Sequence, residues 1–322
     1  MKSVNTKKEK IKFAIVGLGR IQSVFLDACN MIDDIEVVLA ASSDIKRAQE
    51  FAKTHGITHA CTYEELYRAK NIDAVYVGTN MHLHAEISMN LLKNKIPVLC
   101  EKSLCLNENE AKKMISTSKK NKTLLMEAMW TRFLPSIKKA KEIVASGKLG
   151  QIKSVEGAFS TNAKGFEETR IFKKELGGGC VLDIGVYPIS LTHHLLGVPK
   201  SVDAKIIMCR GVDVDMEAIL KYDAAVASLK SSFIAEKENT KFKIICEYGV
   251  VTISEFFKAT SFEIQYLNGS KEFFEFEKIN GFVYQINHFL GLLKNGKIDS
   301  NIMPLADSQQ VMKIMDEVRK LI

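Results

Sequence analysis

The chain has 322 residues, 46% hydrophobic and 26% charged, which excludes a collagenous, low-complexity or disordered protein and leaves room for two cores. Its net charge of +7 is scattered among acidic residues, which argues against a nucleic-acid-binding stripe. Its seven cysteines are odd in number, lack a C-x-x-C pair and fit a reducing compartment.

In chain order, the basic run MKSVNTKKEK comes first and reads as a solvated tail. No apolar leader follows it and no run reaches membrane-spanning length, so a cytoplasmic protein with no membrane partner is expected. KFAIVGLG is a buried-type strand ending in glycines, followed by Ile21, Val24, Phe25 and Ala28 at helical spacing. IEVVLAAS is a second strand, and IKRAQEFAKTHG a helix closed by Gly56. CTYEELYRAK carries a capping box, with Thr62 three residues before Glu65. IDAVYVGT, IPVLCEK and TLLMEA are further strands, separated by the helical HAEISMNLLKN and NENEAKKMISTSKKN. This alternation predicts a doubly wound parallel sheet over residues 1–126.

From about residue 150 the texture changes. IKSVEGAFS, SVDAKIIMCR, DMEAILKYD, AVASLKSSFIA, FKIICEYGVVTI, SFEIQYLNG and KEFFEFEK follow one another on short turns. Residues 127–322 are therefore expected to form an α+β domain with a mostly antiparallel open sheet. The helical exceptions lie around 183–196 and in the C-terminal DSQQVMKIMDEVRKLI. Ile219, Leu229, Ile244 and Val250 are expected on an uncovered face of that sheet, where two copies would meet.

Three short stretches carry chemistry. GLGRIQ, 17–22, closes a strand and opens a helix, the context a dinucleotide fingerprint needs. Gly17 allows the tight turn, Gly19 lets backbone approach a pyrophosphate, and Arg20 and Ile21 head the helix; Gln22 stands in the third glycine's place. After the second strand, Ser42 and Ser43 with Lys46 and Arg47 suit a 2′-phosphate, while Asp44 suits ribose hydroxyls or a helix N-cap. NADP is thus favoured, with NAD open, and a plain solvated helix face also fits Lys46 and Arg47. Glu101 and Lys102 end a buried strand, where α/β proteins bind ligands; without further context such a pair is more often a surface ion pair than a catalytic site. The histidines at 82 and 84 and at 193 and 194 lack zinc-site spacing, and no metal is expected.

The ordered stretches GLGRI, VYVGTN followed by HLHAE, CEKS, EAMWTRF and LGGGCVLDIGVYP resemble the Gfo/Idh/MocA family of nicotinamide-dependent oxidoreductases, nearly end to end. MEAMWTRFLP and GGGCVLDIGVYP are most similar to its dimeric dihydrodiol dehydrogenase and glucose–fructose oxidoreductase branch. The resemblance implies a Rossmann domain followed by an open-sheet domain, pairing sheet to sheet into a homodimer or a dimer of dimers. It also implies an NAD(P)-dependent interconversion of a secondary alcohol and a ketone, or a lactol and a lactone, on a sugar, polyol or cyclic diol. Its E-K-P signature falls on Glu101 and Lys102, placing Lys102 beside the nicotinamide; Ser103 replaces the proline, which implies a looser turn. Its aspartate-to-histidine signature falls on Asp183 and Tyr187, with tyrosine as the proton-transfer group, as in the dihydrodiol branch. A neighbouring ammonium should lower that phenol's pKa. The resemblance further puts Thr79, Asn80, His82, Trp130 and Arg132 near the cofactor, while Arg170, Asp183 and Trp130 are expected at the substrate. Two alternatives stand beside this reading: a non-catalytic cofactor- and sugar-binding sensor, and an inositol or nucleotide-sugar dehydrogenase.

Overall fold

A computed structural model describes residues 9–321; most of the basic N-terminal run lies outside the described residues. The first sheet contains β1 (Ile11–Val16), β2 (Ile35–Ala41), β3 (His59–Cys61), β4 (Ala74–Val77), β5 (Val98–Glu101) and β6 (Leu125–Ala128). Their spatial order is β3-β2-β1-β4-β5-β6, and every pairing is parallel. This is the doubly wound dinucleotide order, with its switch point between β1 and β4. The crossovers are α1 (Arg20–Cys29), α2 (Ile45–His55), the single turn α3 (Tyr63–Leu66), α4 (His84–Lys93) and α5 (Glu108–Asn121). All residues of β4, β5 and β6 are buried, as both-face coverage requires, and their sequences are apolar apart from Glu101 at the end of β5 and Glu127 in β6. The edge strand β3 has only three residues, too few for a period to register.

After α6 (Pro135–Ala145) comes β7 (Ile152–Asn162), then α7 (Val186–Leu196) and the run of strands. These are β8 (Ser201–Cys209), β9 (Val212–Lys221), β10 (Val226–Ser232), β11 (Ile234–Asn239), β12 (Phe242–Cys246), β13 (Gly249–Ile253), β14 (Ser261–Tyr266) and β15 (Lys271–Glu275). Helices α8 (Phe282–Lys294) and α9 (Leu305–Lys320) end the chain. The second sheet runs β15-β14-β13-β12-β7-β10-β9-β8, with β11 pairing β7. Its pairs are antiparallel except β7 with β10. Helices α6, α7 and α9 pack against this sheet, and α9 also reaches α5 and β6 of the first sheet.

Among the described residues no helix covers one face of the second sheet, but the composition of that face differs from the apolar surface expected. Ile219 lies on that face and is exposed, and Val250 is half-buried there; Leu229 and Ile244 are buried on the opposite face. Strand alternation is the reason: Leu229 shares its side with Ala227 and Ser231, while Lys230 and Ser228 point outward. Ion pairs Lys230–Glu217, Lys243–Glu156, Lys271–Glu263 and Lys221–Asp203 run across the outer face. Among the described residues no helix is long and apolar enough to cross a membrane.

Candidate active site

The glycine turn lies at the carboxyl end of β1, where the strand order reverses. Gly17 has φ of +85°, and a Cβ there would meet Thr79 N and Cα at 2.5 Å, so the position tolerates only glycine. Gln22 is fully buried and knits the turn together. Its Oε1 accepts from Gly19 N at 3.1 Å, and its Nε2 donates to the carbonyls of Gly78 (2.9 Å) and Val16 (3.3 Å). The side chain standing where a third glycine is usual therefore ties β1, β4 and α1 to one another. A Cβ on Gly19 would meet nothing closer than 3.8 Å, which leaves room beside the first amides of α1. Those amides lack intrahelical partners, so the turn fits a dinucleotide pyrophosphate.

A cleft of about 800 Å³ runs from Gly19, Arg20 and Ile21 past Thr79 and Asn80 to Lys102, Asp183 and Tyr187. At the end of β5 the Glu101 carboxyl is buried, accepts from Tyr76 OH at 2.6 Å, and is pushed up to about 7 by burial. Lys102 turns into the cleft, and its Nζ donates to the Asp183 carbonyl at 2.7 Å. The same nitrogen lies 3.7 Å from Asp183 Oδ1 and 4.8 Å from the Tyr187 ring centroid. Burial opposes its charge, but Tyr187, Asp183 and Glu101 outweigh burial and hold its pKa above the usual value. Ser103, in the proline's place, ties the turn after Lys102 to a distant segment: its Oγ donates to the Leu182 carbonyl at 2.8 Å. That carbonyl belongs to the π-helical turn Val181–Gly185, which carries Asp183 and leads into α7. Asp183 Oδ1 also accepts from Arg170 Nη2 at 2.9 Å. Burial would raise its carboxyl, but Lys102 and Arg170 prevail and lower it.

Tyr187, in the first turn of α7, receives the Trp130 indole N–H at 3.2 Å on its hydroxyl. Lys102 and this hydrogen bond pull the phenol's pKa down, as the sequence suggests for the ammonium, but burial pushes it up by more. The net shift is upward, so Tyr187 is a phenol at neutral pH. Phe159 and Phe257 complete an aromatic wall, with ring centroids 5.4 and 6.0 Å from that of Tyr187.

The structure thus brings Glu101, Lys102, Trp130, Arg170, Asp183 and Tyr187 to one cleft with Gly19, Arg20, Ile21, Thr79 and Asn80. It sends others elsewhere. Arg132 does not face the cofactor end; its guanidinium is 1% exposed and bound to Ser190 and Asp307. His82 is not in the cleft wall, which instead contains His84, its ring nitrogens 3.0 and 3.1 Å from the carbonyls of Ser103 and Thr79. Burial lowers the pKa of His84 to about 4, so the ring is neutral. Ser42 and Ser43 stand just past the end of β2 and Arg47 in the first turn of α2, outside the cleft wall. Ser42 Oγ accepts from Asp44 N, and Arg47 Nη2 reaches the Leu18 carbonyl in the glycine turn at 3.0 Å. Asp44 Oδ1 caps α2 through Lys46 N at 2.9 Å. Sequence reasoning missed Phe159, Phe257 and His84. Alternation along β7 hints at the first, but Phe257 sits in a three-residue 3₁₀ turn with no period to betray it.

Residues 11–129 match GFO_IDH_MocA, described as an oxidoreductase family with an NAD-binding Rossmann fold, and residues 137–252 match the GFO/IDH/MocA C-terminal domain. A trans-1,2-dihydrobenzene-1,2-diol dehydrogenase from Xenopus tropicalis is 32% identical, with 95% of this chain and 96% of the relative covered. A scyllo-inositol 2-dehydrogenase (NADP(+)) from Bacillus subtilis (strain 168) is also 32% identical, with 96% of each chain covered. Among solved structures, a levoglucosan dehydrogenase in complex with NADH and levoglucosan superposes with a TM-score of 0.90 at 18% identity, covering 97% of both chains. A 3-ketoreductase from Actinomadura kijaniata, KijD10, in complex with NADP and TDP-benzene, gives a TM-score of 0.85 at 24% identity over 97% of this chain and 98% of its own. At these identities the two structures establish a common fold.

Proposed function

The chain belongs to the GFO/IDH/MocA oxidoreductase family, and on that premise we propose that it moves a hydride between NADP or NAD and a CH–OH group of a cyclic diol, polyol or sugar. The observation that carries this reading is the convergence of Lys102 and Tyr187, from separate stretches of sequence, on the cleft that begins at the glycine turn. We assign residues 1–126 to the cofactor and 127–322 to substrate and assembly.

When bound, the nicotinamide supplies or accepts the two electrons; the chain's own groups handle the proton. Tyr187, a phenol at neutral pH, donates to the substrate oxygen as a carbonyl becomes an alcohol. In the opposite direction it must first ionise, and the Lys102 ammonium over its ring makes that less costly. Asp183, paired with Arg170, holds Lys102 in place and offers carboxylate oxygen to substrate hydroxyls. The walls formed by Trp130, Phe159 and Phe257 suit the flat carbon face of a ring better than an open chain. The relatives named for trans-dihydrobenzenediol and scyllo-inositol both act, by name, on ring hydroxyls, which supports a vicinal cyclic diol.

Gly17, Gly19, Arg20 and Ile21 would hold the pyrophosphate. Ser42, Ser43 and Arg47 would hold a 2′-phosphate, because Asp44 is engaged as a helix cap; NADP is the preferred cofactor. We assign the helix-free face of the second sheet to a homodimer interface, alone or within a dimer of dimers, and the free cysteines to a reducing cytoplasm. The test is turnover of trans-dihydrobenzenediol, scyllo- and myo-inositol and levoglucosan with NADP⁺ and with NAD⁺, followed by nicotinamide absorbance. Acyclic polyols serve as the comparison. Reduction of either cofactor by a ring diol supports the reading, and activity confined to acyclic polyols, or none, removes it.

A further inference from the structure

We propose that Arg132 is a positioning residue for proton transfer: it locks the turn carrying Trp130 to the helix carrying Tyr187, and so sets the indole-to-phenol hydrogen bond. The inference rests on reading Tyr187 as the proton-transfer group.

Arg132 is the largest fully buried side chain of the described residues. Its Nε donates to Ser190 Oγ at 3.0 Å, its Nη2 to the Ser190 carbonyl at 2.8 Å, and its Nη1 to Asp307 Oδ2 at 2.6 Å. Ser190 follows Tyr187 by one helical turn on α7, so the two residues share a side of that helix. Trp130 and Arg132 belong to the same short 3₁₀ turn, Trp130–Phe133. The guanidinium therefore ties the turn to the helix, and the Trp130–Tyr187 hydrogen bond is a second link between the two. Asp307, in the first turn of α9, braces the arrangement from the end of the chain.

Stability alone does not account for a guanidinium here. Burying an ion carries a desolvation penalty of several kcal/mol, and apolar residues of similar volume often serve stability as well or better. A planar fork with fixed donor directions does what an apolar side chain cannot, since it dictates the angle between the two elements. The charged and titratable groups around it are Asp307, Glu127, His193, His194 and Lys141. Those acting on Tyr187 are Lys102, Glu101 and Asp183, with Arg170 behind Asp183. None of this second set bonds Arg132, so the path from Arg132 to Tyr187 runs through geometry.

The single tryptophan makes the idea measurable without any substrate. Trp130 emission reports this indole alone, and ionisation of the adjacent Tyr187 should quench it, so emission against pH reads the Tyr187 titration. Tyr187→Phe should remove that titration and serves as the control. Arg132→Lys keeps the charge and loses the fork. It should red-shift Trp130 emission, move the Tyr187 titration upward by about one pH unit, and leave NADPH affinity unchanged. On a ring diol its kcat should fall about tenfold, and in a Trp130→Phe background it should cost almost nothing further. Should Arg132→Lys fail to fold, Ser190→Ala removes one of the three bonds and should shift emission and titration in the same directions by less. Wild-type emission and titration in both variants would overturn the proposal, as would kcat losses that multiply with Trp130→Phe. A shifted titration in a chain that turns over no diol would defeat the functional reading and the proton-transfer role with it, and would leave only the structural lock of Arg132 on the Trp130–Tyr187 hydrogen bond.

Discussion

Replacing Lys102 by methionine removes one charge and keeps most of the stem. The ammonium lies 4.8 Å from the Tyr187 ring centroid. At an effective dielectric of about 20, a unit charge at that distance stabilises a phenolate by about 3 kcal/mol, or roughly two decades in its population at a given pH. Fold stability should suffer less. Asp183 keeps Arg170 at 2.9 Å, so its carboxylate is not stranded, although the Asp183 carbonyl loses its donor at about 1–3 kcal/mol. Oxidation of a ring diol at neutral pH should therefore slow by about 10²- to 10³-fold, with part of the loss recovered as pH rises and Tyr187 ionises unaided. The assay is kcat against pH for both proteins, with thermal melting and NADPH titration beside it. A methionine variant within about threefold of wild-type kcat across the pH range would refute the reasoning.

Gly17→Ala should cost about 2–5 kcal/mol, the left-handed backbone penalty plus overlap with Thr79, and should weaken NADPH binding; unchanged melting and affinity would contradict the turn assignment. Arg47→Ala should reduce the preference for NADPH over NADH by about tenfold at low salt, and equal titrations for variant and wild type would return the ribose to Asp44. Ile219→Lys, on β9 of the helix-free face, should leave the fold intact and convert a dimer to monomer in light scattering; a wild type that is already monomeric at micromolar concentration would remove the interface.

Much of this architecture is legible in the residues because its periods are regular. β4, β5 and β6 are short, mostly apolar runs, and α2 and α5 end at Gly56 and Lys122 in the left-handed conformation that helix stops favour. Several strands of the second sheet alternate, but alternation alone does not say which side faces the core. That is why Leu229 and Ile244 are found inward while Ile219 is outward. Lys102 and Tyr187 are named by their motifs. The contacts that fix the turn after Lys102 are not, since Ser103, Leu182 and His84 meet only after the chain has folded. Arg132 misleads for a related reason. It sits beside Trp130 in sequence, yet a 3₁₀ turn sends the two side chains in different directions, one to the cleft and one to Ser190. The Tyr187 phenol shows the limit of counting neighbours: the ammonium acts in the expected direction, and burial, which no local sequence reveals, decides the net shift.

The central claim is that Tyr187 moves the proton in a cleft built to hold a nicotinamide dinucleotide. Tyr187→Phe tests it most directly, because it deletes one oxygen and leaves the ring packed against Phe159 and Phe257. The measurement is kcat for a ring diol with NADP⁺ together with the NADPH dissociation constant, in wild type and variant. The account predicts a loss of about 10² or more in kcat with the dissociation constant nearly unchanged. Full turnover by the variant, or a wild type that binds no dinucleotide, would contradict it.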